Sequence, residues 1–208
     1  MTCFTIGHSD HEPGHFLSLL RKYQIDSLVD IRSTPYSQRV PQFNKEVIAR
    51  YLKDHGIVYV HFGNRLGGRY TDPGLLFGNG KVDFGKVSRT GNFVKGIEQV
   101  IRGVKEGRRI ALMCSEKDPF DCHRFLLVAW ELERRGVAVD HILEGGEHVS
   151  NNDLKRKLLE KYKVEHDQLL MFTAGKTEEE ALEEARRRRN LEIGYAPRSP
   201  NGDKDRAS

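Results

Sequence analysis

Residues 109–124 read RIALMCSEKDPFDCHR, and this stretch decides the fold. Its first part, Arg109–Cys114, is a continuous apolar run rather than an alternating one, as expected of a strand covered on both faces. A polar loop follows. From Cys122 onward, Phe125, Leu126, Ala129, Trp130 and Leu132 fall at helical spacing as far as Gly136. Strand, loop and helix in that order are the repeating unit of a parallel sheet.

The same unit recurs on both sides. Ser27–Ile31 (SLVDI) is another unbroken run, and Cys3–Ile6, Ile57–His61 and Val137–Leu143 complete five predicted strands. Pro13 suits a first helical turn, ahead of Phe16, Leu19, Leu20 and Tyr23 on one face. Asn44 is placed to cap a helix carrying Val47, Ile48, Tyr51 and Leu52 that stops near Gly56. Asn92 is placed to cap another, carrying Phe93, Ile97, Val100, Ile101 and Val104, that ends near Gly107. The expected architecture over residues 1–150 is therefore α/β: a mostly parallel sheet of about five strands with helices on both faces.

Two stretches depart from that rhythm. Phe62–Thr90 is rich in glycine and has no clear period, and so long a loop inside a compact domain is usually functional. After Gly146, Asn152–Tyr162 reads as a basic helix and Thr177–Arg189 as a capped, strongly charged one. They make a charged helical extension over 151–190, and 191–208 reads as a disordered tail. The arginines at 186–189 read as a solvated helix end, with phosphate contact as the alternative.

Composition narrows the classes. The 208 residues are 38% hydrophobic and 31% charged, with a net charge of +4, which permits nucleic-acid or phosphate binding without demanding it. No run approaches the roughly 18 apolar residues of a membrane span, and MTCFTIGHSD is no secretory leader. Three cysteines argue against a disulfide scaffold and for a reducing, cytoplasmic setting.

Ligands of open parallel sheets bind beyond the carboxyl ends of the strands. After the first strand come Gly7, His8 and Ser9; after the second, Asp30, Arg32 and Ser33; after the fourth, Cys114, Ser115 and Glu116, then Lys117, Asp118, Cys122, His123 and Arg124. A structural rim needs turn formers, not this density of titratable groups. Asp30 and Arg32 share a strand face, either as a local ion pair or as an anion-holding arginine beside an acid. Glu116, following an apolar strand, is the candidate for a desolvated carboxyl with a raised pKa and acid–base work. Asp118, beside Pro119, reads as a turn builder. Cys122 at a helix start is either an activated thiolate or a small packed hydrophobe, and Cys114 reads as core. A metal site of Cys114, Cys122, His123 and His8 is chemically conceivable, but the spacing matches no standard zinc pattern and no metal is expected. His141 reads as a satisfied core histidine. NRLGGR matches neither a phosphate loop nor a dinucleotide fingerprint, so no nucleotide cofactor, and no cofactor of any kind, is expected.

TIGHS at 5–9, LVDIRSTPYS at 28–37, FGNRLGGR at 62–69, MCSEKDPFDCHR at 113–124 and VDHIL at 139–143 closely resemble the family called domain of unknown function 488. The resemblance runs from residue 1 to about 145. It implies an α/β sandwich and puts His8, Ser9, Asp30, Arg32, Glu116, Cys122, His123 and Arg124 at the shared polar positions. Through relatives that excise modified bases, it also implies DNA glycosylase activity.

Three functions fit the rim. In the leading one, the chain hydrolyses an N-glycosidic bond in nucleic acid, DNA rather than RNA. Asp30 or Glu116 supplies the carboxylate and His8 or His123 handles the proton. Arg32 and Arg124 hold phosphates, with Ser9, Ser33, Tyr36, Arg65 and Arg69 as further substrate contacts. An extruded base needs aromatic stacking, for which Tyr36, Phe43, Tyr70 and Phe77 are candidates. Lys117 is the nearest amine for an imine route. The second function is thiol-dependent catalysis by Cys122, and the third a non-catalytic module that binds phosphate or nucleic acid.

Overall fold

The computed structural model describes residues 1–162 and 177–197. Six strands form one sheet: β1 Thr2–Gly7, β2 Ser27–Asp30, β3 Val58–His61, β4 Ile110–Cys114, β5 Ala138–Ile142 and β6 His148–Ser150. Their order is β3-β2-β4-β1-β5-β6. The first five pair in parallel, as expected. The sixth runs antiparallel to β5 and, at three residues, is too short to show a period in sequence.

Alternate side chains of the strands feed two apolar layers. Cys3, Val29, Leu112, Cys114 and Val139 pack with Phe93, Ile97 and Val100 of the helix Gly91–Lys105 and with Phe125–Trp130. Phe4, Ile6, Leu28, Met113 and Ile142 pack on the opposite face with the helices Pro13–Lys22 and Lys45–Asp54. Each fully buried Leu, Ile or Phe there contributes about 1.5–3 kcal/mol. The edge strand β3 departs from the double-sided pattern, because Val58 and Val60 face solvent.

Two caps differ from expectation. Asn44 does occupy the cap position of Lys45–Asp54, yet its Oδ1 accepts from the Ser37 N–H (2.7 Å) and ties down the preceding loop instead. Thr90 rather than Asn92 caps Gly91–Lys105, its hydroxyl accepting from the Phe93 N–H. A threonine two residues earlier competes for the same role, and spacing alone does not choose between them.

The connections fix where a ligand can sit. β1 leads through Pro13–Lys22 on one face of the sheet, whereas β4 leads through Arg124–Glu133 on the other. These two strands are neighbours, so their carboxyl ends part over the point where the winding reverses. Among the described residues, no helix is long and apolar enough to cross a membrane.

The helix Glu178–Ile193 opens with a capping box between Thr177 and Glu180, as its sequence suggests. Its arginines are not all solvated, which corrects the reading of 186–189. Arg186 is buried, lies 4.9 Å over the Trp130 ring and donates to the Leu126 carbonyl (3.2 Å). Arg189 is buried against Phe120 and pairs with Asp121 and Glu192. Long aliphatic stems let both cover apolar surface while their heads find acceptors. The disordered tail expected from 191 is corrected at its start, where the helix runs on to Ile193 and the Tyr195 carbonyl accepts from the Val82 N–H. Residues 198–208 of that tail, and 163–176 of the expected helical extension, lie outside the described residues.

Candidate functional site

The loop after β4 turns sharply. Asp118 builds that turn, its carboxylate accepting from the Phe120 N–H (2.8 Å). Arg124, expected to hold a phosphate, points inward instead and is wholly buried. Its guanidinium braces the loop by donating to the backbone carbonyls of Glu116 and Lys117. Gly7 at the end of β1 makes room for this, since a Cβ there would lie 2.0 Å from the Glu116 carbonyl oxygen. The helix that follows opens with a π turn, Arg124–Ala129, before Trp130–Glu133 becomes α-helical; such widened turns are frequent at functional sites.

A cavity of about 190 Å³ lies over this loop. Glu116, Cys114, Cys122 and His123 line it together with Arg32, Ser33 and Arg69. Glu116 is exposed to it, but its Oε2 turns in to accept from the Cys114 thiol (2.6 Å) and the Cys122 thiol (3.2 Å). His123 presents Nδ1 to the same two sulfurs at 3.6 and 3.7 Å, while Nε2 donates to the Ile31 carbonyl. Gly68 presses on the face of that ring, where a Cβ would meet the His123 Cγ at 2.7 Å. The Gly-rich loop therefore supplies close approach to the site rather than a phosphate cradle.

The charges of this cluster correct two expectations. Burial raises the carboxyl pKa of Glu116, but the neighbouring His123 charge and the two thiol donors outweigh it and hold the group at about 2. Glu116 is thus an ionised carboxylate, not a neutral acid. Burial also pushes the Cys122 thiol well above its ordinary value, reinforced by Cys114 and the Glu116 charge. A thiol held protonated in this way is a poor nucleophile, contrary to the thiolate reading. Burial opposes charge on His123, yet the Cys122 sulfur and Glu116 raise its pKa.

Arg32 separates this cavity from a second one of about 270 Å³, lined by His8, Ser9, Tyr36 and Arg39. Asp30 lies behind Arg32, fully buried and outside both cavities. Its carboxylate accepts from Arg32 Nε and Nη2, from the Arg32 N–H and from the Tyr59 hydroxyl (2.7 Å). Every lone-pair direction has a donor, which is why a charge can be kept there. The ion-pair reading of Asp30 and Arg32 holds, and Asp30 lines neither cavity.

His8 is locked between its neighbours. Nδ1 donates to the Ser9 carbonyl (2.8 Å), Nε2 accepts from Arg32 Nη1 (3.1 Å), and the ring stacks on Phe43 at 4.4 Å. Burial, with the Arg32 charge, lowers its pKa to about 4. Both ring nitrogens are thus engaged within the protein, which opposes the proton-handling role expected of it. His141 is the satisfied core histidine its sequence suggests, accepting from Thr5 (2.7 Å) and donating to Asn151 (3.0 Å), with burial holding its pKa near 3. Both are neutral when folded, whereas an unfolded histidine titrates near 6.5. Stability is therefore full above pH 6.5 and falls as pH drops through the window from 6.5 to about 4 for His8 and about 3 for His141. Unfolding free energies from urea denaturation across this window should decline with a slope approaching about 1.4 kcal/mol per pH unit per histidine, and His8→Gln or His141→Gln should each remove its share. An unchanged slope in both variants would refute the account.

The other expected site residues scatter. Ser9 (φ 47°) lines the second cavity and donates to Asp10, and the exposed Tyr36 donates to Glu46 (2.7 Å). Ser33 accepts from the Arg69 N–H (3.1 Å), and Arg69 stacks over Tyr195 at 5.3 Å. Arg65 is outside both cavities, paired with Gln99 and lying over Phe62. Phe43 is core, Tyr70 is half-buried beside Arg65, and Phe77 lines a separate cavity against the helix Glu178–Ile193. Lys117 is exposed and paired with Glu144, which raises its pKa and opposes an imine role. Sequence reasoning missed Arg39, Phe84 and Tyr195, and no periodicity or motif marks them.

A family model described as Domain of unknown function DUF488 matches residues 13–131, more than half of the chain. No curated protein and no solved structure matches it.

Proposed function

The chain belongs to the DUF488 family, and from that premise we propose that it is a hydrolase releasing a modified or damaged base from DNA by cleaving the N-glycosidic bond. The observation that carries this reading is the Glu116 side chain, exposed in the wall of the 190 Å³ cavity. A negative carboxylate at a sugar stabilises the oxocarbenium-like transition state and orients the attacking water. Arg69, with Tyr195 beneath it, provides the cation and aromatic surface that a departing, extruded base requires. Exposed Arg39 and Arg69, one on each cavity, would hold the flanking phosphates, since the Arg32 and Arg124 guanidiniums are bound to Asp30 and to the loop carbonyls.

The test is a panel of duplexes carrying uracil, hydroxymethylated, oxidised or alkylated bases, each incubated and then split with and without alkali. Cutting only after alkali at one base identifies hydrolytic base release. Cutting without alkali indicates a lyase with an amine nucleophile. No cutting on any duplex would defeat the proposal for those bases.

A further inference from the structure

We propose that Cys114, Cys122, His123 and Glu116 form a binding site for one zinc ion, with the two sulfurs, the Nδ1 of His123 and the Glu116 carboxylate as ligands. All four donor atoms lie within 4.8 Å of one another. In a tetrahedral zinc site with Zn–S of about 2.3 Å and Zn–N of about 2.0–2.1 Å, sulfur and nitrogen stand about 3.6 Å apart. The two Sγ–Nδ1 separations, 3.6 and 3.7 Å, already have that value. The carboxylate sits closer to the sulfurs, at 2.6 and 3.2 Å, because it now accepts their protons; an ion that displaces those protons takes over the contact. His8, the fourth donor that the sequence offered, is engaged elsewhere, and Glu116 replaces it.

The surroundings match what a metal ligand needs. A ligating histidine fixes its tautomer by donating its other ring N–H, and His123 Nε2 donates to the Ile31 carbonyl at 3.3 Å. The Arg124 N–H points at the Cys122 sulfur at 3.4 Å, a contact that favours a negative sulfur. Consecutive residues seldom share an ion, but the backbone changes here from extended at Cys122 (φ −130°, ψ 146°) to helical at His123 (φ −61°, ψ −20°). That break turns both side chains to one point, which explains why the spacing fits no standard pattern.

Two thiolates with an imidazole select a borderline-soft divalent ion, zinc before magnesium or calcium. Glu116 is the exposed ligand, so it is the one that water or substrate displaces, leaving three protein ligands and an open position. The inference rests on donor geometry alone and stands whether or not DNA is the substrate.

The test titrates the reduced full chain with Co²⁺ as a spectroscopic stand-in, then with Zn²⁺. The expected result is one equivalent of cobalt with tetrahedral bands and intense sulfur-to-metal charge transfer, displaced by one equivalent of zinc. Cys122→Ala and Cys114→Ala should weaken binding on the order of 100-fold or more and dim the charge-transfer band, with circular dichroism reporting that they fold. Cys3→Ala should leave binding unchanged, since Cys3 sits at the opposite end of the sheet beside Ile110. Absence of charge transfer, or a band that survives Cys122→Ala, would overturn the site. Cobalt binding without base release would refute only the glycosylase reading, and base release without cobalt binding only this one.

Discussion

Glu116→Gln is expected to lower the rate of base release by 10²- to 10⁴-fold, about 3–5 kcal/mol of transition-state stabilisation, with little change in folding. The substitution keeps the shape of the side chain and removes only its charge, and that charge faces a cavity rather than a core. Because His123 and the thiols hold the carboxyl near 2, its charged form persists at all working pH values. The wild-type rate should therefore show no acidic limb from Glu116 between pH 4 and 8. Single-turnover rates with the cleaved substrate of the duplex panel provide the measurement. A variant that retains a tenth or more of the wild-type rate would remove Glu116 from the chemistry.

Asp30→Ala should instead act on the fold, costing about 3–5 kcal/mol of stability in urea denaturation. The change leaves the buried Arg32 guanidinium without its carboxylate and the Tyr59 hydroxyl and Arg32 N–H without an acceptor. A charge stranded in that way costs more than the pair contributes. Adding Arg32→Met should recover part of the loss, because the stranded charge goes with it. Asp30→Asn offers the complementary control: it should still release base per folded molecule, since Asp30 touches neither cavity. A folded but inactive Asp30→Asn protein would hand the catalytic role back to Asp30.

Much of this was legible in the sequence. Unbroken runs such as SLVDI and RIALMC gave a parallel sheet, and a parallel sheet puts its chemistry at one rim, so Glu116, Cys122 and His123 could be named together. Direction was not legible. Arg32 and Arg124 carry the same charge as Arg69, but only packing reveals that the first two turn inward to Asp30 and to the loop carbonyls. The apolar strand before Glu116 announces burial and hence a raised pKa, whereas the His123 charge that reverses it arrives through a change in backbone conformation seven residues later. Arginines at 186–189 look like a solvated run until Trp130 and Phe120 are seen beneath them.

Ile193 and Tyr195 belong to the wall of the cavity, although the match to the family ends at residue 131. The Val82 N–H donates to the Tyr195 carbonyl (2.9 Å), so this late segment is stitched onto the glycine-rich loop it faces. One side of the chamber wall is thus encoded outside the stretch that carries Glu116, Cys122 and His123. Mutation there can reshape that side without touching the carboxylate, so under the proposed reaction the choice of base could diverge while the chemistry is kept.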